Sequence, residues 1–103
     1  MRRAAKIDGN HHEIVEALRA VGANVQPLHT VGGGVPDLLV GHNGVTYLVE
    51  VKIPKGKRNP KPAPTTPDQD RWFSVWRGDR VRIVTSVEQA LVAIGVNATG
   101  TTK

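Results

Sequence analysis

The dipeptide Asn43-Gly44 stands between two short apolar runs, at residues 38–40 and 47–49, and constrains the fold more than any other feature of this sequence. Asn-Gly in such a position is the strongest short-range signal for a β-hairpin with a tight turn. If the turn closes symmetrically, His42 faces Val45, and the residue numbers of every directly opposed pair add up to 87. The sequence therefore predicts two antiparallel strands in a defined register.

This register places Asp37 opposite Glu50, at the open end of the hairpin. Directly opposed side chains on antiparallel strands have Cβ atoms about 4.5–5.5 Å apart, and two like charges at that separation destabilise a sheet. Lys52 follows Glu50 by two residues and projects from the same face, because alternate residues of a strand point to the same side. We therefore predict a cluster of two carboxylates and one ammonium group, called the charged trio below.

The rest of the hairpin is apolar. The face of the charged trio also carries Leu39 and Leu48, and the opposite face carries Leu38, Val40, Tyr47, Val49, Val51 and Ile53. Because so few positions are polar, both faces are expected to be covered. Buried charges are costly unless they are paired, and two acids with one base leave a net negative charge. A divalent cation would neutralise that charge, and a purely structural ion cluster is the alternative.

Apolar periodicity and capping residues predict three helices. The helices and their N-cap candidates are residues 10–22 with Asp8 or Asn10, residues 67–77 with Thr66, and residues 87–94 with Ser86. The apolar stripe of the first helix consists of Ile14, Val15, Leu18 and Val21.

Two further apolar segments, at residues 25–30 and 81–85, predict strands before and after the hairpin. The order is then helix, strand, strand, strand, helix, strand, helix (αβββαβα), which is an α/β fold with a mixed four-stranded sheet flanked by helices. A chain of 103 residues has room for one domain. We expect that single domain, residues 1–103, to have its core over residues 8–94 and a frayed polar tail at 96–103.

Charge and composition restrict the partners and the compartment. Lys and Arg number 14 against 9 Asp and Glu, and this net charge of +5 favours a polyanionic partner such as nucleic acid. Cysteine is absent, which excludes disulfides and thiolate-bound zinc. No apolar run approaches the roughly 20 residues of a membrane helix, and the N-terminus lacks a secretory signal. These features predict a cytoplasmic protein without membrane attachment or an organic cofactor.

A segment rich in proline and lysine, residues 54–66, follows the hairpin and is predicted to be a mobile loop. Its basic side chains are Lys55, Lys57, Arg58 and Lys61. They could simply be solvated, but their closeness to the charged trio favours contact with a DNA backbone. Such contacts make binding strongly dependent on salt.

The charged trio suits divalent-metal chemistry on a phosphodiester. Mg²⁺ prefers oxygen ligands and is typically held by one or two carboxylates, waters and substrate phosphate oxygens. Asp37 and Glu50 would supply the carboxylates, and the Val51 carbonyl is a further candidate ligand. A bound Mg²⁺ or Mn²⁺ lowers the pKa of a coordinated water and polarises the phosphate. Lys52 would orient or deprotonate the attacking water, or stabilise the transition state electrostatically.

These residues form an ordered pattern: Gly-Gly-Gly-Val-Pro-Asp at 32–37, the hairpin, Glu-Val-Lys at 50–52, then Thr-Pro-Asp-Gln at 66–69 followed by Trp72. The pattern resembles the PD-(D/E)xK nuclease superfamily. With the first helix before it, the chain is similar over residues 8–94 to a stand-alone VRR-NUC domain of the bacteriophage kind. The resemblance implies a restriction-endonuclease-like core with Asp37, Glu50 and Lys52 as catalytic residues, and Gln69 positioning Lys52 or a phosphate.

The resemblance also implies a partner and a further metal ligand. Stand-alone members are similar in architecture to Holliday-junction resolvases, which implies a homodimer acting on branched or flapped DNA. Members often add an acid from the first helix to the metal site. Glu13 is the best match here, with His11 and Glu16 as alternatives.

Two alternatives remain open. A DNA-binding module could retain the fold without catalysis, although two opposed carboxylates would repel phosphate. Trp72 and Trp76 share one helix face at i and i+4, for which core packing or a dimer contact is favoured over base stacking.

Overall fold

The hairpin forms in the predicted register. In the computed structural model, which describes residues 9–97, Leu38 pairs with Val49 and His42 with Val45. Asn43 has φ 49° and Gly44 has φ 78°, and two successive left-handed residues are what a two-residue hairpin turn of type I′ requires. In chain order the elements are α1 (His11–Ala20), β1 (Asn24–Pro27), β2 (Leu38–His42), β3 (Val45–Val51), β4 (Pro54–Lys55), β5 (Lys61–Pro62), α2 (Pro67–Val75), β6 (Arg82–Val84) and α3 (Val87–Ala93).

The predicted sheet is confirmed as a mixed four-stranded sheet with the order β1-β2-β3-β6. Strands β1, β2 and β3 are antiparallel neighbours, and β6 joins β3 in parallel. A parallel neighbour requires a long crossover, which is made here by the segment that contains α2. The described part of the chain is thus one α/β domain with three helices, and its helices and main-sheet strands follow the predicted order αβββαβα, with the short strands β4 and β5 added between β3 and α2.

Helices α1 and α3 cover one face of this sheet and form the core with it. The buried apolar residues are Ile14, Val15, Leu18, Ala23, Leu38, Val40, Val49, Val51, Val84, Ala90, Leu91, Ile94 and Val96. Three of the four residues predicted as the apolar stripe of α1 belong to this set, while Val21 at the helix end is half-buried. None of the helices within residues 9–97 is long and apolar enough to cross a bilayer.

Both core helices end in the same way. After α3, Gly95 adopts φ 84° and the Val96 N–H donates to the Leu91 carbonyl at 2.9 Å. After α1, Gly22 adopts φ 92° and the following N–H returns to the carbonyl of Leu18 at 3.1 Å. This is the Schellman motif, in which a left-handed glycine turns the chain back over the helix end.

The motif after α3 corrects one prediction. Val96, predicted to begin a frayed tail, is fully buried because the Schellman turn points it into the core. Residues 98–103 of that tail lie outside the described residues, as does Asp8, one of the two predicted N-caps of α1.

The expectation that both sheet faces are covered is wrong. On the face of the charged trio, Leu39 is 38% exposed and Thr46 is exposed. Helix α2 lies on this side, but none of its residues is fully buried. Its first turn is attached to the sheet by polar contacts, described below, rather than by an apolar face, so it covers only one end of the strands.

Two elements end earlier than predicted. β1 stops at Pro27, three residues before the predicted end, and α2 stops at Val75 because Trp76 leaves helical geometry with ψ 129°. The segment 54–66 is not all loop: its strands β4 and β5 pair as a small antiparallel hairpin. Proline and lysine are depleted in strands, which is why the sequence pattern missed it.

Candidate active site

Asp37 and Glu50 meet one step beyond the last ladder pair of the β2–β3 hairpin. The Val51 N–H donates to Asp37 Oδ2 at 2.8 Å, and the Asp37 N–H donates to Glu50 Oε1 at 3.2 Å. The two carboxylates thus replace ladder hydrogen bonds and are held by backbone donors. This arrangement follows from the register, which pairs Leu38 with Val49 immediately before them.

The Val51 carbonyl belongs to the same edge. The N–H and C=O of one strand residue point to the same side, and the Val51 N–H points to Asp37. The next residue points the other way, since the Lys52 N–H donates to the Val84 carbonyl of β6 at 2.9 Å. The backbone oxygen of Val51 therefore lies on the side of the two carboxylates.

Lys52 brings its ammonium group to the same cluster from the end of β3. Lys52 is only 8% exposed, and its Nζ lies 3.4 Å from Glu50 Oε2. Nζ also donates to Gln69 Oε1 at 2.7 Å and to the Pro64 carbonyl at 3.4 Å. The amine is therefore directed by three acceptors and is not a mobile surface charge.

Gln69 links the charged trio to α2. Its Nε2 donates to Glu50 Oε2 at 2.6 Å, while its Oε1 accepts from Lys52. The same Oε1 accepts from the Thr66 N–H at 3.0 Å, and the Gln69 N–H donates to Thr66 Oγ1 at 3.2 Å. These last two bonds are the capping box that begins α2, so one side chain both starts the helix and spans the lysine and the glutamate.

The glycine run ends against the first turn of α2, which the sequence did not indicate. Gly34 has φ 85°, and a Cβ built on it would overlap the backbone carbonyl group of Asp68 and lie 2.8 Å from the backbone nitrogen of Gln69. Gly33, with φ 69°, has open space at the same position. Only Gly34 therefore combines a left-handed backbone with a close approach to the helix that carries Gln69.

Asn10 has a role other than the predicted one. It occupies the N-cap position of α1, but its side chain makes no capping hydrogen bond. Instead Nδ2 donates to the Lys52 carbonyl at 3.1 Å and to the Thr85 carbonyl at 2.9 Å, at the ends of β3 and β6. An asparagine before a helix is typical of a cap, so the sequence offered no signal for this long-range contact.

The environment of Glu50 disfavours its charge. Burial raises the pKa of Glu50, and the nearby Asp37 raises it further, to about 7, against the opposing effects of Lys52 and of the Gln69 hydrogen bond. Glu50 is 2% exposed, so little water is available to stabilise its carboxylate. One ammonium group does not neutralise two acids at this site.

Two of the three residues considered as a third metal ligand face solvent. Glu13 and Glu16 are exposed on α1, and Glu16 pairs with His12 at 3.4 Å. His11 is buried and packs edge-on against His29, with ring centroids 5.9 Å apart. Among residues 9–97, no group of three or more His, Cys, Asp or Glu side chains is arranged to hold a metal ion. The packing of α1 on the sheet turns Glu13 to solvent.

Two carboxylates and one carbonyl nevertheless fit Mg²⁺ or Mn²⁺. Such ions are usually bound through one or two carboxylates and keep several waters, so a third acidic ligand is not required. Asp37, Glu50 and the Val51 carbonyl present oxygen atoms only, and the pKa of Glu50 is raised first by burial and then by the charge of Asp37, both of which a bound cation would offset. The donor set and its charge therefore match a hard divalent ion.

The basic residues of segment 54–66 lie on the small hairpin that follows the charged trio. Lys55, Lys57, Arg58 and Lys61 are all exposed. The base of this hairpin is tied to the end of β3 by the Ala63 N–H, which donates to the Ile53 carbonyl at 2.9 Å.

Comparisons of the chain with known protein families, curated proteins and solved structures find no match.

Proposed function

We propose that this chain is a metal-dependent endonuclease of the PD-(D/E)xK type, which hydrolyses DNA phosphodiester bonds with Mg²⁺ or Mn²⁺. The observation that carries the proposal is the paired carboxylates of Asp37 and Glu50, with the Lys52 ammonium group 3.4 Å from the glutamate. The Glu-Val-Lys order and the Gln69 contact agree with the sequence resemblance to the VRR-NUC domains.

Energetics supports a catalytic cluster over a purely structural one. Raising the pKa of Glu50 from 4.5 to about 7 corresponds to about 3 kcal/mol against its ionisation. A structural cluster would gain by replacing one of the acids with a neutral residue. A cation held between the carboxylates would instead stabilise both of them in the ionised form. Two acids at this position are therefore favourable only when a cation is bound.

The chain's own residues would divide the work as follows. Asp37, Glu50 and the Val51 carbonyl would hold the ion, which supplies an activated water and polarises the phosphate. Lys52 would stabilise the negative charge that develops on the phosphate, because its Nζ is already directed by fixed acceptors. Gln69 would hold that amine in place. The exposed lysines of the β4–β5 hairpin would contact the DNA backbone beside the site.

The substrate and the assembly follow from the resemblance. We propose branched or flapped DNA, such as a Holliday junction, as the substrate, and a homodimer as the active form. The net charge of +5 supports a polyanionic substrate of some kind but does not discriminate among DNA structures.

The test is cleavage of labelled Holliday-junction, flap and linear duplex DNA in Mn²⁺, comparing wild type with Asp37→Asn and Lys52→Met. We expect both variants to lose at least about 100-fold in rate, the scale of removing one electrostatic or acid–base contribution. Glu13→Gln is the matched control, because Glu13 is an exposed acid outside the cluster. Cleavage that survives both site substitutions would refute the assignment.

A non-catalytic DNA-binding module is the second candidate, which the exposed basic hairpin favours. DNA binding by the wild type without cleavage in Mg²⁺ or Mn²⁺ would support it. Thermal stability separates the nuclease from a structural ion cluster, since an ion that binds the folded state raises the melting temperature. No stabilisation by millimolar Mn²⁺ would indicate that the cluster holds no metal.

A further inference from the structure

The two tryptophans form a partly exposed aromatic surface on the side of the charged trio. Trp72 and Trp76 stack with ring centroids 4.9 Å apart and an interplanar angle of 20°, and Trp76 is 40% exposed. Neither indole belongs to the core. Core packing, one of the two roles favoured from sequence, is therefore not what these side chains do. We call this pair the tryptophan platform.

The platform is held in a fixed orientation. Trp76 Nε1 donates to the Asp79 carbonyl at 2.7 Å, which satisfies the only polar group of the indole. The ring also lies against Gly78, where a Cβ would overlap it. Because the donor is already used, the ring faces are what this surface can offer to a ligand, and a rigid indole loses little entropy on binding.

An open cleft adjoins the platform between Trp76, which follows α2, and the uncovered sheet face. Its volume is about 280 Å³, and it is lined by Leu39, Thr46, Tyr47, Leu48, Trp76, Asp79 and Arg80. Leu48 and Leu39 are on the same sheet face as Glu50 and Asp37, so the cleft and the charged trio share one side of the sheet. This cleft is apolar and has space for a flat ring.

The charges nearby favour an anionic ligand. Arg80 lines the cleft and Arg77 directly follows Trp76, while the carboxylate of Asp79 is paired with Arg82 at 3.4 Å. A second copy of the chain placed on this surface by a twofold axis would bring like charges together, which disfavours it as the occupant. A flat aromatic ring attached to a negatively charged chain matches both the platform and the arginines, and a nucleotide has this chemistry.

Helix α2 sets the distance from the charged trio. Gln69 lies in its first turn and Trp76 directly follows its last residue, which separates them by about 10 Å at 1.5 Å per residue. One strand of B-form DNA advances 3.4 Å per nucleotide, so this distance corresponds to about three nucleotides. Paired bases have both faces covered by their neighbours, whereas an unpaired base can stack on an indole.

We propose that the tryptophan platform and its cleft bind an unpaired nucleobase of the DNA strand, about three nucleotides from the scissile phosphate. This inference rests on the proposed nuclease function for its substrate, and it makes single-stranded or branched DNA the substrate class. The stacked base would place the strand across the charged trio, while the β4–β5 hairpin contacts the backbone.

Intrinsic fluorescence tests this directly, because the chain contains 2 tryptophans and both are in the platform. The protein is titrated in EDTA, which prevents cleavage, with a thymidine 12-mer and with a matched 12-mer of abasic sugar-phosphate. We expect quenching with the thymidine strand and at least about fivefold weaker binding of the abasic strand, the lower limit for one stacked base. Equal affinities and equal fluorescence changes would overturn the proposal.

Two variants separate stacking from charge. Trp76→Leu is expected to remove the difference between the two 12-mers, whereas Lys57→Ala is expected to weaken both equally. A Trp76→Leu variant that still discriminates between them would refute the platform. Conversion of a dimer to a monomer by Trp76→Leu, measured by analytical ultracentrifugation, would overturn it in favour of a protein interface.

Cleavage assays keep this inference distinct from the nuclease proposal. Discrimination between the strands without cleavage in any metal would refute the nuclease and leave the base site standing. Cleavage without discrimination between the strands would refute the base site and leave the nuclease proposal standing.

Discussion

Replacement of Gly34 by alanine tests whether the glycine run positions the site through α2. An alanine at φ 85° costs about 1–2 kcal/mol, because an L-residue disfavours the left-handed region. The same cost applies to Gly33→Ala, at φ 69°, where a Cβ has open space. Gly33→Ala is therefore a control with the same backbone strain and no collision.

The extra cost of Gly34→Ala comes from the collision with Asp68 and Gln69. The glycine run has little freedom to retreat, since Pro36 is fully buried and the Val31 N–H donates to the Leu28 carbonyl at 2.9 Å. The helix must therefore shift, which strains the bonds from Gln69 to Lys52 and Glu50. One hydrogen bond to a charged partner contributes about 1.5–3 kcal/mol. Gly34→Ala should thus destabilise by about 2.5–5 kcal/mol in total, against about 1–2 for Gly33→Ala.

Urea denaturation at pH 7, with thermal melting as a second measurement, gives both free energies of unfolding. A difference of 1.5 kcal/mol corresponds to roughly 6 °C or more in melting temperature for a domain of this size. In a Gln69→Ala background, the extra destabilisation by Gly34→Ala should largely disappear, because the hydrogen bonds that the collision strains are already absent. Equal destabilisation by the two alanines, or an unchanged difference in the Gln69→Ala background, would refute the reasoning.

Four further predictions concern pH, metal binding, the core and salt. The folded-state pKa of Glu50 lies above its ordinary value, so its contribution to stability is complete below pH 4.5 and is lost as the pH rises to about 7. The metal-free protein should therefore lose about 3 kcal/mol of unfolding free energy over this window. The Glu50→Gln variant should not show that loss. Mn²⁺ should stabilise the protein increasingly over the same window, because binding requires the carboxylate form, and a pH-independent effect would contradict this. Val96→Ala should cost about 1.5–3 kcal/mol in chemical denaturation, whereas Val92→Ala, at a residue 50% exposed, should stay within about 0.5 kcal/mol. Neutralising Lys57 and Lys61 together should reduce the slope of log affinity for duplex DNA against log salt by about 2, and an unchanged slope would remove these residues from the interface.

Much of the site was accessible from the sequence because its geometry is local. The Asn43-Gly44 turn sets the register of β2 and β3, and that register alone brings Asp37 to Glu50. Lys52 follows from strand alternation. Thr66 and Gln69 were recognisable as the start of a helix, since a capping box lies within four residues.

The remaining features depend on segments that are far apart in the chain. Gly34 meets Asp68, and Asn10 meets Lys52 and Thr85, only because the sheet brings these segments together. No periodicity or capping rule reports such contacts. The same is true of Glu13, which the packing of α1 leaves exposed.

By itself, then, the sequence determined the three helices, the four strands of the main sheet, the hairpin register and the pairing of two acids with a lysine, because hydrogen bonding within a turn, a strand or a helix end is encoded in neighbouring residues. Only the tertiary structure decided that Gln69 spans Lys52 and Glu50, that Val96 belongs to the core, and that α2 leaves a cleft beside Trp76. These contacts depend on how the helices pack on the sheet, and that packing is a property of the whole chain.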